Sequence, residues 1–236
     1  MKLFYTFLAF FFSVADAFAR AGGGGGGFGG GGGGVGNYVG RNYGESHGIP
    51  WWGSFMIFAL AILIIIYSMK RYLKKKASKK LLEKISAHDS LWDETEILKH
   101  VRKNFIEIQE AWCDKDLGKL QKLLHPKLFP EWQKKITVMD AKDLHDVMEN
   151  INVGDIEIID IKNYKDDEKD EFTVGIDVSA SDETLDEDGN VVSSREPIFY
   201  EFWTFERENN EWLLREINEK RNEPKFLKPN INEEKR

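Results

Sequence analysis

The residues best equipped for chemistry in this chain are His125, His145 with Asp146, and Cys113. His145 and Asp146 adjoin in a stretch, Asp143 to Met148, that reads as a helix extension or a turn. On a helix, adjacent side chains point about 100° apart, which makes a poor acid–base dyad. His125 stands before Pro126 at a helix break. Cys113 is the one cysteine, so no intrachain disulfide can form. On an apolar-patterned helix it reads as a small buried residue. No Cys and His spacing suits a metal. Asp186, Asp188 and Gly189 look like part of a calcium loop. With Gly189 in sixth place, however, the first and twelfth places fall on Thr184 and Arg195, which cannot ligate as that loop requires. Asp188-Gly189-Asn190 reads as a hairpin turn instead. The expectation is no catalytic residue, no metal and no cofactor.

The chemistry that the spacing does support is electrostatic. Lys70, Arg71, Lys74, Lys75, Lys76, Lys79, Lys80 and Lys84 face only Glu83 in the same stretch. Each Lys or Arg near an anionic leaflet adds about 1 kcal/mol of attraction. These eight cations are the candidate site for anionic phospholipid, and they also serve as a plain topology determinant. Leu73, Ala77, Leu81 and Ile85 recur every four residues, which predicts a helix with one thin apolar stripe.

The stretch before the collar positions it. From Trp51 to Met69 there is no charge, and Phe55 to Ile66 is almost wholly apolar. About 20 such residues, at 1.5 Å each, cross a bilayer core. Trp51-Trp52 on one side and Tyr67 and Tyr72 on the other suit the two interfaces. The cations follow on the C-terminal side, so everything after Lys70 is expected in the cytoplasm.

Upstream, Met1-Lys2 precedes a short apolar run, Leu3 to Val14, and Ala17-Phe18-Ala19 offers a cleavage site. This predicts a signal peptide cut after Ala19. The rival is an uncleaved first span; both leave the C-terminal part on the same side. Ala21 to Tyr43 is mostly glycine, with no phosphate-loop ending, and reads as a flexible spacer. The predicted layout is signal peptide 1–19, glycine-rich segment 20–48, transmembrane helix 49–69, basic juxtamembrane helix 70–89, folded domain 90–218 and disordered tail 219–236.

Charge divides the chain. Residues 85–236 carry 22 Lys and Arg against 37 Asp and Glu, a net of −15. Such a domain is a poor nucleic-acid binder, because phosphate contact needs clustered cations. Its first part is helical. Asp93, with Glu96 three residues on, can cap a helix carrying Ile97, Val101, Phe105, Ile108 and Trp112. A short helix follows Asp116, and another follows Pro130 with Trp132, Ile136 and Met139 on one face. The second part is sheet. Ile156 to Ile161 reads as a strand; Phe172 to Ala180 alternates cleanly; Pro197 to Glu206 carries aromatics toward both faces; Trp212 to Ile217 is the last. Helices first and an antiparallel meander after is the α+β pattern.

At Glu201-Phe202-Trp203-Thr204-Phe205-Glu206-Arg207, then Trp212-Leu213-Leu214, the chain resembles a known family. It is similar to the C-terminal domain of the forty-four-kilodalton subunit of the mitochondrial inner-membrane translocase, and to bacterial membrane-anchored relatives. The likeness extends back through Phe105, Trp112, Leu123-Leu124-His125-Pro126 and Phe129, over roughly residues 80–218. It implies helices cupping a curved antiparallel sheet, a cone like nuclear transport factor two. It also implies an apolar pocket and attachment to anionic lipid through a basic helix. The chain departs from the mitochondrial member in its transmembrane helix and short pre-domain region, with no identifiable chaperone-binding segment.

Three functions compete. The first is a non-catalytic scaffold or adaptor at the cell's inner (plasma) membrane, aiding protein transport or membrane-protein assembly, with Phe199, Trp203, Phe205 and Trp212 lining a concavity for a membrane-protein partner. For each of the four, ordinary core packing is the alternative. The second is a lipid or small-ligand carrier using the same pocket. The third is a pocket enzyme of isomerase or dehydratase type, since cones of this kind host such chemistry.

Overall fold

The computed structural model describes residues 51–233, with side chains from Phe55 onward. The expected signal peptide and glycine-rich segment lie outside the described residues. The chain divides into two compact units, which part between Leu73 and Lys74.

Helix α1 is Trp51–Ile85. Its portion from Phe55 is long and apolar enough to cross a membrane, judged by length and composition. The apolar side chains from Phe55 to Ile66 are exposed within the chain, as a lipid-facing surface would be.

The C-terminal unit is α+β, as the pattern of periods predicts. Helices α2 (Glu94–Cys113), α3 (Leu117–Leu123) and α4 (Phe129–Asp140) come first. Their starts follow local rules. The Asp93 carboxylate accepts from the Glu96 amide at 3.0 Å, and Asp116 accepts from Lys119 at 2.9 Å. Pro130 sits in the first turn of α4, where no helical amide bond is lost. Strands β1 (His145–Asn163), β2 (Glu171–Leu185), β3 (Val191–Ser194), β4 (Ile198–Glu208), β5 (Glu211–Glu219) and β6 (Ile231–Asn232) form one sheet. Its order is β5-β4-β2-β1-β6, with β3 paired to β2 beyond the end of β4. All pairings are antiparallel except β1 with β6.

Strand β1 differs most from expectation. It starts at His145, eleven residues before the predicted Ile156, and runs for 19 residues. Register shifts between Glu149 and Asn152, Val153 and Ile156, and Ile158 and Asp160 interrupt its alternation. Bulges of this kind erase the two-residue period that betrays a strand.

The main core lies between α2–α4 and one face of the sheet. Val101, Phe105 and Ile108 of α2 meet Phe172, Val174 and Ile176 of β2 and Trp203 and Phe205 of β4. Burying each such side chain is worth about 1.5–3 kcal/mol. On the opposite face a smaller cluster joins Ile159, Phe202 and Phe226, with Tyr200 packed against it. Both faces of β4 are thus covered, and Glu201 to Arg207 are all buried.

Two predicted boundaries are corrected. The tail from residue 219 is not structureless in its described part. It forms a turn of helix at Lys220–Lys225, inserts Phe226 beside Phe202 at 5.0 Å between ring centres, and adds β6 to the sheet. The domain also begins before residue 90. Leu82 and Ile85 of α1 belong to the main core, and Ser78 is wholly buried.

Candidate functional site

The basic collar is split by its surroundings. The expected stripe of Leu73, Ala77, Leu81 and Ile85 is displaced by one residue at its first three places and kept at Ile85: the buried positions are Lys74, Ser78, Leu82 and Ile85. The reason is polar. Lys74 Nζ lies 2.5 Å from Asp160 Oδ1, with the two side chains 4% and 8% exposed. Ser78 Oγ donates to the Ile159 carbonyl at 2.8 Å. Asn230, just ahead of β6, accepts from Lys74 Nζ, from Ser78 Oγ at 3.1 Å and from the Ile161 amide at 3.3 Å. Lys74 is therefore a structural residue. Lys75 pairs with Glu157, and Lys79 lies 3.8 Å from Glu94. Lys70, Lys76, Lys80 and Lys84 are exposed, and Arg71 is half-buried.

The expected aromatic lining is core. Trp203 and Phe205 are 0% exposed and Trp212 is 5%. Phe105 lies 4.8 Å from Trp203, Phe172 stacks on Phe205 at 5.1 Å, and Trp92 meets Trp212 at 4.9 Å. Their polar atoms are also engaged: Trp203 Nε1 donates to Glu201 and Trp212 Nε1 to the Leu91 carbonyl, each at 3.0 Å. Phe199 is half-buried against the same core. Space that a ligand would need at these residues is filled by the protein itself.

An open groove lies elsewhere, between α2 and β1. It has a volume of about 700 Å³ and is lined by Leu98, Lys99, Arg102, Lys103, Ile106 and residues 154–156. Leu98, Ile106 and Ile156 are half-buried apolar groups, with Lys99 and Lys103 exposed at the rim. Arg102 donates to the carbonyls of Val153 and, at 2.8 Å, Gly154. It thereby satisfies part of a strand edge that, among the described residues, has no neighbouring strand until β6 at Lys162.

A second feature gathers charge around Arg207. Its guanidinium lies 2.6 Å from Asp89, 3.8 Å from Asp167 and 3.7 Å from Asp170, and donates to Asn210 at 2.8 Å. Burial pushes the Asp170 carboxyl up to about 7, helped by the neighbouring charge of Asp167 and opposed by Arg207.

Residues 78–219 match the family model of the Tim44-like domain. The chain belongs to the Tim44-like domain family. The crystal structure of the intermembrane space region of the chloroplast protein ARC6 is similar, with a TM-score of 0.42 and 12% identity, over 54% of this chain and 95% of that one. No curated protein sequence matches.

Within this Tim44-like domain the histidine and carboxylate candidates fall apart. His145 and Asp146 sit on a strand, not a helix, so they point to opposite faces: His145 is exposed and Asp146 buried. Asp146 accepts from Trp112 Nε1 at 2.7 Å. Burial, reinforced by the charge of Asp182, raises its carboxyl to about 6. His125 is buried and lies 3.4 Å from Glu208 and 3.7 Å from Glu206. Its Nδ1 accepts from the Lys127 amide at 3.2 Å, which ties down the chain before α4. Burial raises the Cys113 thiol to about 11, which leaves it protonated and weakly nucleophilic at neutral pH. The calcium-loop lookalike is a turn: Asp186 accepts from the Asp188 amide at 3.1 Å and the Asn190 amide at 2.8 Å. Sequence reasoning missed the Lys74–Asp160–Asn230 cluster and the groove. Arg207 was visible as the last residue of the family-like stretch, but its three aspartate partners were not.

Proposed function

We propose that this Tim44-like protein is a single-pass membrane scaffold or adaptor. Its C-terminal domain would lie in the cytoplasm at the inner (plasma) membrane and hold a membrane-protein partner during transport or assembly. The observation that carries this reading is the solid packing behind Trp203, Phe205 and Trp212, together with an open apolar groove on α2 and β1. A filled core argues for a binding surface over a pocket that encloses a small molecule. The long apolar helix supports anchoring, and the cations that follow it support a cytoplasmic domain. Exposed Lys70, Lys76, Lys80 and Lys84, with Arg71, would contact anionic phospholipid.

The test is photo-crosslinking in cells. A photoreactive residue replaces Ile106 in the groove, with exposed Lys122 as control, and adducts are identified by mass spectrometry. The scaffold predicts discrete polypeptide adducts at Ile106 that are absent at Lys122. Adducts to phospholipid or a metabolite would favour a carrier. No adduct at Ile106 in a folded domain would remove the groove as the partner surface.

A further inference from the structure

Beyond Leu73, four large hydrophobic residues are exposed among the described residues: Val191, Val192, Ile198 and Ile231. The first three are 53%, 54% and 74% exposed and flank one short piece of chain. That piece is held to β2 along its length. Strand β3 pairs from Glu183 opposite Ser194 to Leu185 opposite Val191. The Arg195 amide then donates to the Asp182 carbonyl at 3.0 Å, and the Ala180 amide to the Pro197 carbonyl at 2.9 Å. Strand β4 takes over with Ile198 opposite Ser179.

The other side of this piece is open. Among the described residues β3 pairs only with β2, and β5 reaches no farther along β4 than Glu201. Exposed edges are usually guarded by lysine, proline or a bulge that twists them away. Val191-Val192-Ser193-Ser194 carries no charge and no proline; a register shift opposite Thr184 and Leu185 leaves Val192 as an extra residue of β3, and charge and proline begin only at Arg195-Glu196-Pro197. The surrounding charge is acidic: Glu183, Asp186, Glu187, Asp188 and Glu196 against Arg195. A second copy of this edge would bring the same acids face to face, which disfavours self-pairing.

We propose that Val191–Ser194 is a docking strand for an extended segment of another protein in which apolar residues alternate with lysine or arginine. Main-chain pairing along the edge supplies the contact. Val191, Val192 and Ile198 cover the partner's apolar side chains, and the flanking acids take its cations. Four residues make a short strand, so the site is weak alone. Two partners held on one membrane raise the effective concentration that makes a weak site useful. This surface is separate from the groove on α2 and β1, and its test does not depend on that reading.

The test uses the full chain in phosphatidylcholine nanodiscs, whose neutral lipid does not attract a cationic peptide. The probe is a fluorescent heptapeptide of alternating lysine and valine, followed by anisotropy. Saturable binding is expected. It should weaken at least tenfold with Val192→Lys, with the same peptide N-methylated at alternate residues, and with a glutamate–valine peptide. The Leu98→Ala groove variant should bind as the unaltered chain does. Val192 is exposed, so an unchanged thermal melt of Val192→Lys shows that loss of binding is not loss of fold. Equal binding of the glutamate–valine peptide would overturn the proposal, as would full binding by Val192→Lys. A dimer in detergent that Val192→Lys dissociates would assign the edge to a second copy and overturn it as well.

Discussion

Lys74 Nζ and Asp160 Oδ1 lie 2.5 Å apart in a buried pair that joins the last turns of α1 to the sheet. A lysine from a cationic cluster has become part of the domain's interior. Burial raises the Asp160 carboxyl while Lys74 pulls it back down. Removing one member of such a pair strands the other charge, at a cost of about 3–5 kcal/mol, whereas replacing both with apolar groups is far milder. Lys74→Met should therefore destabilise strongly, and Lys74→Met with Asp160→Leu should recover more than half of the loss. Urea unfolding of the full chain in detergent, followed by tryptophan fluorescence, decides. A double variant no better than the single one would mean that Lys74 acts mainly through Asn230.

Gly175 faces Tyr200 on the neighbouring strand. A Cβ at Gly175 would sit 1.8 Å from the Tyr200 hydroxyl and 2.5 Å from Cζ, so the ring would have to leave. The ring is held by Phe202, edge-on at 5.1 Å, with Lys220 Nζ 5.8 Å from its centre. Overpacking of this kind costs about 1–3 kcal/mol. Gly175→Ala should lose that much stability. In a Tyr200→Ala background the same change should be neutral or better, since alanine suits a strand more than glycine does. An equal loss in both backgrounds would place the strain in the backbone rather than at the ring.

The fold was legible where local chemistry and burial agree. Asp93 and Asp116 announce their helices, and Phe172 to Ala180 alternates because β2 has one face on the core. The sequence is silent where long-range polar contacts decide. Nothing near Lys74 shows that Asp160 and Asn230 will meet it, so it reads as one more exposed cation. Nothing near Phe226 shows that Phe202 needs a cover. The aromatic residues of β4 and β5 were readable as important but not as enclosed. Enclosure depends on α2 and on Trp92, which stands alone just before the Asp93 cap and belongs to no periodic stretch.

Asp146 should give the domain a distinct pH signature. Its folded carboxyl stands near 6, raised by burial and by Asp182, against about 3.8 when unfolded. Trp112, Thr184 and Arg195 oppose the rise, and the half-buried Cys113 thiol stays neutral in this range. A raised acid contributes stability that is complete below the unfolded value and lost as pH climbs through the folded one. An asparagine in its place would not carry that loss and could still accept from Trp112. Asp146→Asn should therefore gain on the unaltered chain by up to ~3 kcal/mol between about pH 4 and pH 7.5. Parallel urea titrations across that range measure the gap. A gap that does not change with pH would show that folding does not raise the Asp146 carboxyl.

The C-terminal segment makes the last prediction. Phe226 is 7% exposed on the outer cluster, and Asn230 accepts from both Lys74 and Ser78 of α1. The Glu233 amide donates to the Asn163 carbonyl at 2.9 Å, and Asn163 Nδ2 donates to Asn232 Oδ1 at 3.0 Å, extending the hold of β6 on β1. These contacts bind the segment to β1, the strand that also receives Lys74 and Ser78. Phe226→Ala should cost roughly 2–4 kcal/mol through the cavity beside Phe202. Asn230→Ala should act locally: it removes one of two acceptors near Lys74, Ser78 and the Ile161 amide, which keep Asp160 and the Ile159 carbonyl, while the core stays packed. Hydrogen exchange separates the two. Phe226→Ala should speed exchange across the sheet, whereas Asn230→Ala should speed it chiefly in the turns of α1 from Lys74 to Ile85. Unchanged exchange in those turns would mean that Asp160 and the Ile159 carbonyl hold the helix without help from the C-terminal segment.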